Sequence, residues 1–191
     1  MSHYKSNLRD IEFNLFELLG RDQVLGTGPF SEVDGESARE ILAEVERLTR
    51  EEVAASYVSS DRNPPVFDPS THTAPLPADF KASYEAWMDA EFWRIGIPEA
   101  LGGTPATPSL LWATNEMLLG ANAPVWMYSM GPFCGALILK NANGVAAQER
   151  LGEIVIERRW GATMVLTEPD AGSDVGAGRS KATRNEDGSW N

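Results

Sequence analysis

The stretch Met164-Val165-Leu166-Thr167-Glu168-Pro169-Asp170-Ala171-Gly172-Ser173-Asp174-Val175-Gly176, MVLTEPDAGSDVG, decides how this chain is read. A short apolar run stops at Leu166, and a hydroxyl, a carboxylate, a proline and a small-residue turn follow at once. A strand that ends at Leu166 leaves the next backbone N–H and C=O groups outside any ladder. Thr167 adds a hydroxyl that both donates and accepts. Pro169 stiffens the turn, Gly172 permits positive φ or close approach of a ligand, and Ser173 adds a second hydroxyl. Such a loop can grip the polar edge of a heterocycle and a phosphate. The same residues also suit a turn in which Thr167, Glu168 and Asp174 satisfy only their own backbone, and chemistry alone leaves both readings open.

Upstream of this stretch the chain is helical. Residues 8–19 place Leu8, Ile11, Leu15, Leu18 and Leu19 on one face with Phe16 beside it, and Gly20 is set to stop the helix. Residues 37–60 carry Ile41, Val45, Leu48 and Val53 near helical spacing, with Ser37 as the cap. Five prolines between 61 and 77 demand an extended surface loop. A helix over 78–98 gathers Phe80, Tyr84, Trp87, Met88 and Phe92, and the turn IPEALGG (97–103) closes it. Two buried helices follow over 109–121 and 124–142, then a more polar one over 144–159. From Trp160 the signals turn to β, in ATMVL (162–166) and in GRSKATRNEDGSW (178–190), whose NEDG is a turn between strands.

The chain of 191 residues carries a net charge of −12, from 28 acids and 16 bases. That balance argues against nucleic acid or an anionic membrane as partner, while a local site built from backbone N–H groups can still take an anion. With two histidines, His3 and His72, at no metal-ligand spacing, a His-based zinc site or a Ser-His-Asp triad is disfavoured, and no metal site is expected. The single cysteine, Cys134, lies in GPFCGALIL (131–139), reads as core, and permits no intramolecular disulfide. No signal segment or membrane-length run is apparent, so a cytoplasmic location is the default. About thirty residues after Gly161 cannot form a sheet domain alone, so the chain reads as a fragment of a longer protein.

MVLTEPDAGSDVG resembles the first signature of the acyl-CoA dehydrogenase family, T-E-P-x-A-G-S-D. IPEALGG resembles that family's turn inside its N-terminal helical domain. YKSNLRDIEFNLFELLG (4–20) resembles the N-terminal extension of a larger subgroup, which includes broad-range and 3-(methylthio)propanoyl-CoA dehydrogenases. The resemblance implies a mainly α fold: an extension over 1–35, an N-terminal helical domain over 36–159, and the first strands of a truncated middle β domain over 160–191. It implies FAD as cofactor, with Met164, Val165, Leu166 and Thr167 along the flavin ring edge and Gly172 and Ser173 near the pyrophosphate. Ser173 would also approach the CoA substrate.

The resemblance further implies α,β-dehydrogenation of an acyl-CoA to a trans-2-enoyl-CoA, an electron-transfer flavoprotein as acceptor, and a homo-oligomer. The family's catalytic glutamate would lie beyond Asn191, so Glu168 and Asp174 are expected to structure the loop and the chain alone to be inactive. Acyl-CoA oxidases and flavin monooxygenases share the fold, and a catalytically silent helical interaction module is the rival from another class. Trp126, Met130 and Phe133, at helical spacing in WMYSMGPF (126–133), are candidates for an acyl-chain wall, although such stripes, like Trp87, Phe92 and Trp93, are more often core. The charged face EVERLTREE (44–52) is read as solvated, and GGTPATP (102–108) lacks the spacing of a phosphate loop.

Overall fold

A computed structural model describes residues 3–191. Its α-helices are α1 (Leu8–Glu12), α2 (Gly35–Leu48), α3 (Tyr57–Arg62), α4 (Ala78–Asp89), α5 (Pro108–Ser129), α6 (Gly131–Asn141) and α7 (Ala146–Glu157). The mainly helical class expected for the first 159 residues is what forms.

The apolar stripe of α2 carries the centre. Ala38, Leu42 and Val45 are fully buried, and Val53 continues the row beyond the helix. Leu42 outranks Ile41, which is only partly covered. The cap is Asp34, whose Oδ1 accepts the Ser37 amide at 2.8 Å, so Ser37 is the capped residue and not the cap.

The long helix expected over 37–60 does not run straight. It passes through a π-helical turn, Thr49–Val53, and a 3₁₀ turn, Ala54–Ser56, before α3. A π turn frees carbonyls from the helical ladder, and buried ones need partners. The Ser83 hydroxyl of α4 donates to the Glu52 carbonyl at 2.8 Å. The Asn122 amide of α5 donates to the Val53 carbonyl and to the Ser56 hydroxyl, each at 3.1 Å. Three helices therefore meet at one irregular turn, over a core of Phe80, Trp87, Met117, Leu118 and Val125.

The two apolar helices expected on either side of residue 122 are instead one bent helix followed by a separate α6. Asn122 leaves helical geometry (φ −164°, ψ 88°), and Pro124, which lacks an N–H, is tolerated just past the bend. Thr107 caps α5 by accepting the Leu110 amide at 3.3 Å. The helices α6 and α7 form an antiparallel hairpin with close backbones: a Cβ on either Gly135 or Gly152 would lie 2.9 Å from the other's carbonyl oxygen.

The N-terminal segment straps across this body through Leu15 and Phe16, with Arg39 stacked 3.8 Å over the Phe16 ring. Leu18 and Leu19, expected on the apolar face, are 66% and 51% exposed, because α1 widens into a π-helical stretch, Phe13–Leu18, that rotates them outward. Tyr4 packs against Gly120. Burial, with Glu116 and Glu46 nearby, pushes its hydroxyl up to about 12. The proline-rich segment is an exposed loop, as expected. Cys134, expected in the core, is only half-buried.

The strands expected beyond Trp160 are not formed. The residues after α7 show isolated bridges, Glu168–Ala171 and Arg184–Trp190, and the NEDG turn closes with the Gly188 amide on the Asn185 carbonyl at 3.1 Å. A strand needs a paired neighbour, and none lies beside 162–166 among the described residues.

Replacing Asn122 by Ala would leave the Val53 carbonyl buried and unpaired, so a loss of about 1–3 kcal/mol is predicted in urea unfolding. Leu42→Ala should cost about 2–5 kcal/mol in the same measurement.

Candidate functional site

Beyond α7 the backbone becomes free. Among the described residues no backbone hydrogen bond reaches Gly161–Thr167, and Met164, Val165 and Leu166 are 81%, 87% and 53% exposed. An apolar ribbon with unpaired N–H and C=O groups is thus presented along one edge. Thr167 and Ser173 are exposed at its end.

The loop that follows is well made. The Glu168 carboxylate accepts the amides of Arg179 at 2.7 Å and Ser180 at 3.0 Å, and these hydrogen bonds, that of Arg179 first, hold the carboxyl below its usual range. The Glu168 and Ala171 backbones pair with each other, and Ala171 is the buried pin of the turn. The structure therefore uses Glu168 as a loop-structuring residue. Gly172 does not adopt positive φ, and a Cβ there would meet nothing within 4 Å. Its smallness is not demanded by the protein's own packing, which leaves open space beside it.

A cleft of about 210 Å³ opens between the end of α4 and the two halves of α5. Trp126, Met130 and Phe133, singled out as a possible acyl wall, all line it, together with Trp87, Trp93 and Leu118. Their polar atoms are mostly turned to the protein. Trp126 Nε1 donates to Asn115 Oδ1 at 3.1 Å, Trp93 Nε1 to the Met88 carbonyl at 3.0 Å, and the Ser129 hydroxyl to the Trp126 carbonyl at 2.9 Å. What faces the cleft is chiefly ring and aliphatic surface, suited to an alkyl chain. Trp87 Nε1 is the exception, buried with no partner among the described residues.

A second, wider cavity of about 370 Å³ lies among Tyr57, Pro65, Leu76, Phe80, Pro124 and Tyr128 and shares no residue with the cleft. Among the described residues no group of three or more potential metal ligands is assembled, and no helix is long and apolar enough to cross a membrane.

Sequence reasoning had no signal for Asn115, which orients Trp126, nor for the ion-pair cluster beside Trp93. There Arg94 and Arg159 both reach the Glu91 carboxylate, at 2.9 and 3.3 Å, and Arg159 also reaches Asp89 at 2.8 Å. Hydrogen bonding from Arg94, then its charge and that of Arg159, holds the Glu91 carboxyl below the ordinary range.

No family model matches the chain. Three curated proteins nevertheless match it along nearly its whole length, and all three are acyl-CoA dehydrogenases. The chain is 54% identical over 190 residues to a broad-specificity linear acyl-CoA dehydrogenase of Mycobacterium tuberculosis, a match covering all of this chain and 31% of the relative. A 3-methylmercaptopropionyl-CoA dehydrogenase of Ruegeria pomeroyi is 27% identical over 98% of the chain and 32% of the relative. A butyryl-CoA dehydrogenase of Syntrophomonas wolfei is 27% identical over 94% and 30%. The chain thus spans about a third of the length of the curated relatives it matches.

The lowered carboxyl of Glu168 carries a pH test. Its hydrogen bonds contribute fully above the ordinary glutamate value of about 4.3 and are lost as pH falls through the lowered one. Amide exchange at Arg179 and Ser180, corrected for its intrinsic rate, should accelerate only under acid conditions in the native chain. In Glu168→Gln it should already be fast at neutral pH.

Proposed function

We propose that this chain is the N-terminal part of an FAD-dependent acyl-CoA dehydrogenase, which removes one hydrogen from each of Cα and Cβ of an acyl-CoA thioester to give a trans-2-enoyl-CoA. The observation that carries the reading is the open edge at Met164–Thr167, set in a family signature and followed by a loop with free space at Gly172. A flat heterocycle with polar edges fits such a ribbon: the apolar side chains meet its face and the free backbone groups its edge.

On this reading Met164, Val165, Leu166 and Thr167 hold the flavin ring, with the Thr167 hydroxyl donating to it, while Gly172 and Ser173 admit the pyrophosphate. Bound FAD supplies the two-electron acceptor that amino-acid side chains lack. Ser173 also faces the CoA portion of the substrate. The cleft lined by Trp126, Met130 and Phe133 takes the acyl chain and keeps water from it. The carboxylate base that takes the α-proton belongs beyond Asn191, so this chain alone binds and orients without turning over substrate. Electrons then pass to an electron-transfer flavoprotein, and the working enzyme is a homo-oligomer.

The domain division at Trp160 belongs to the same proposal. The extension of 1–35, described from residue 3, straps the helical domain of 36–159, and 160–191 begin a β domain whose remaining strands pair the ribbon's other edge. The unpaired backbone at Gly161–Thr167 is the feature that division accounts for.

The test is anaerobic addition of acyl-CoAs of increasing length to the purified full-length protein while its absorbance is followed. Bleaching of a flavin band is the expected result. A colourless protein that cannot be reconstituted with FAD would overturn the reading, and turnover by the 191-residue chain alone would overturn the assignment of the base. Thr167→Ala should weaken FAD retention by about 0.5–1.5 kcal/mol, the net worth of one hydrogen bond, measured by equilibrium dialysis.

A further inference from the structure

The helix α7 ends in a Schellman motif. The Arg159 amide bonds the Ile156 carbonyl at 3.2 Å and the Trp160 amide bonds the Val155 carbonyl at 3.0 Å. The residue in the left-handed position is Arg159, with φ 52°. Glycine is the ordinary occupant there, because any side chain crowds the following carbonyl. An arginine kept in that conformation calls for a compensating role of its side chain.

That side chain has one. Its guanidinium reaches Asp89 Oδ1 at 2.8 Å and Glu91 Oε1 at 3.3 Å, both at the end of α4, and lies 6.0 Å from the centre of the Trp93 ring. Glu91 is itself a non-glycine residue at positive φ, 60°. Arg94 stacks 4.3 Å over the same tryptophan and donates to the Gly102 carbonyl at 2.8 Å. Trp93 is a wall of the apolar cleft. One residue further along, the Trp160 carbonyl lies against Gly131, where no Cβ has room. The direction in which the chain leaves α7 toward Met164 is therefore fixed from two sides, by the Arg159 side chain and by the contact at Gly131.

We propose that Arg159 is a positioning residue that ties the acyl-chain cleft to the segment 160–173, so that filling of the cleft and ordering of that segment favour one another. This rests on the functional reading above. An exposed ion pair contributes little to global stability, and a left-handed arginine is a poorer cap than glycine, so a stability role accounts for neither feature. Holding Trp93 and the exit of α7 in one register accounts for both. Linkage requires the effect to be reciprocal: an acyl chain against Trp93 protects 160–168, and an ordered 160–168 tightens acyl binding.

The experiment uses the full-length protein with Arg159→Gly and Arg159→Lys. Glycine relieves the backbone and removes the tie, so Arg159→Gly should melt at or above the wild-type temperature. In its FAD-free form, amide exchange across residues 160–168 should be about tenfold faster than in wild type. Its kcat/KM should fall by tenfold to a hundredfold for long acyl-CoAs and much less for short ones, which do not reach Trp93. Arg159→Lys should recover part of both. Exchange and kcat/KM within twofold of wild type in Arg159→Gly would overturn the proposal and reduce Arg159 to a helix end.

If Arg159→Gly fails to fold, Asp89→Ala removes the shorter of the two Arg159 ion pairs and leaves both the Arg159 backbone and the Arg94–Glu91 pair untouched. It must show the same two changes, and wild-type behaviour in it is equally fatal. A wild-type protein that binds no flavin would end the functional reading instead, and the exchange comparison would still decide whether Arg159 orders 160–168.

Discussion

Two backbone carbonyls, those of Glu52 and Val53, organise this molecule. They lie at the end of a π-helical turn, Thr49–Val53, where Val53 is fully buried and its carbonyl needs a protein partner. Ser83 takes one and Asn122 the other, so α4 and α5 are held at fixed registers against the end of α2. Asn122 does this from a non-helical backbone at the bend of α5, two residues before Pro124. The second half of α5 then carries Trp126 and Met130 to the cleft beside Trp93.

The sequence conveyed the helices well where a single apolar stripe faced a single core, as in Val45, Leu48, Phe80 and Trp87. It failed where the backbone departs from 3.6 residues per turn. Leu18 and Leu19 obey helical spacing yet point outward, because α1 widens into a π-helical stretch. Asn122 looked like one polar residue between two apolar helices, and nothing local says that its amide is needed 69 positions upstream. The β character beyond Trp160 was read from composition, and composition cannot supply a pairing partner.

The candidate site divides in the same way. The signature MVLTEPDAGSDVG is contiguous, and its resemblance to a family was carried by adjacent residues. Glu168 was read as structural, and its two amide hydrogen bonds agree. The cleft candidates Trp126, Met130 and Phe133 were read at helical spacing, yet Trp126 belongs to α5, Phe133 to α6 and Met130 to the joint between them, and it is that joint that brings them to one cleft. Asn115 lies within α5, Glu91 and Trp93 in the turn after α4, and Arg159 at the end of α7, and only the fold makes these segments neighbours. Arg159 in particular is a charged residue at a helix end in sequence, while its left-handed backbone and three partners are tertiary facts.

On the function proposed above, the helical body offers the apolar cleft to an acyl chain and the open ribbon at Met164–Thr167 to a flavin. The most direct test is a crystal structure of the full-length protein with FAD and a long-chain acyl-CoA. The account predicts the acyl tail between Trp93, Trp126 and Phe133, with the isoalloxazine against Met164–Thr167. An acyl tail outside that cleft, or a flavin that leaves the ribbon paired only to other strands, would contradict it.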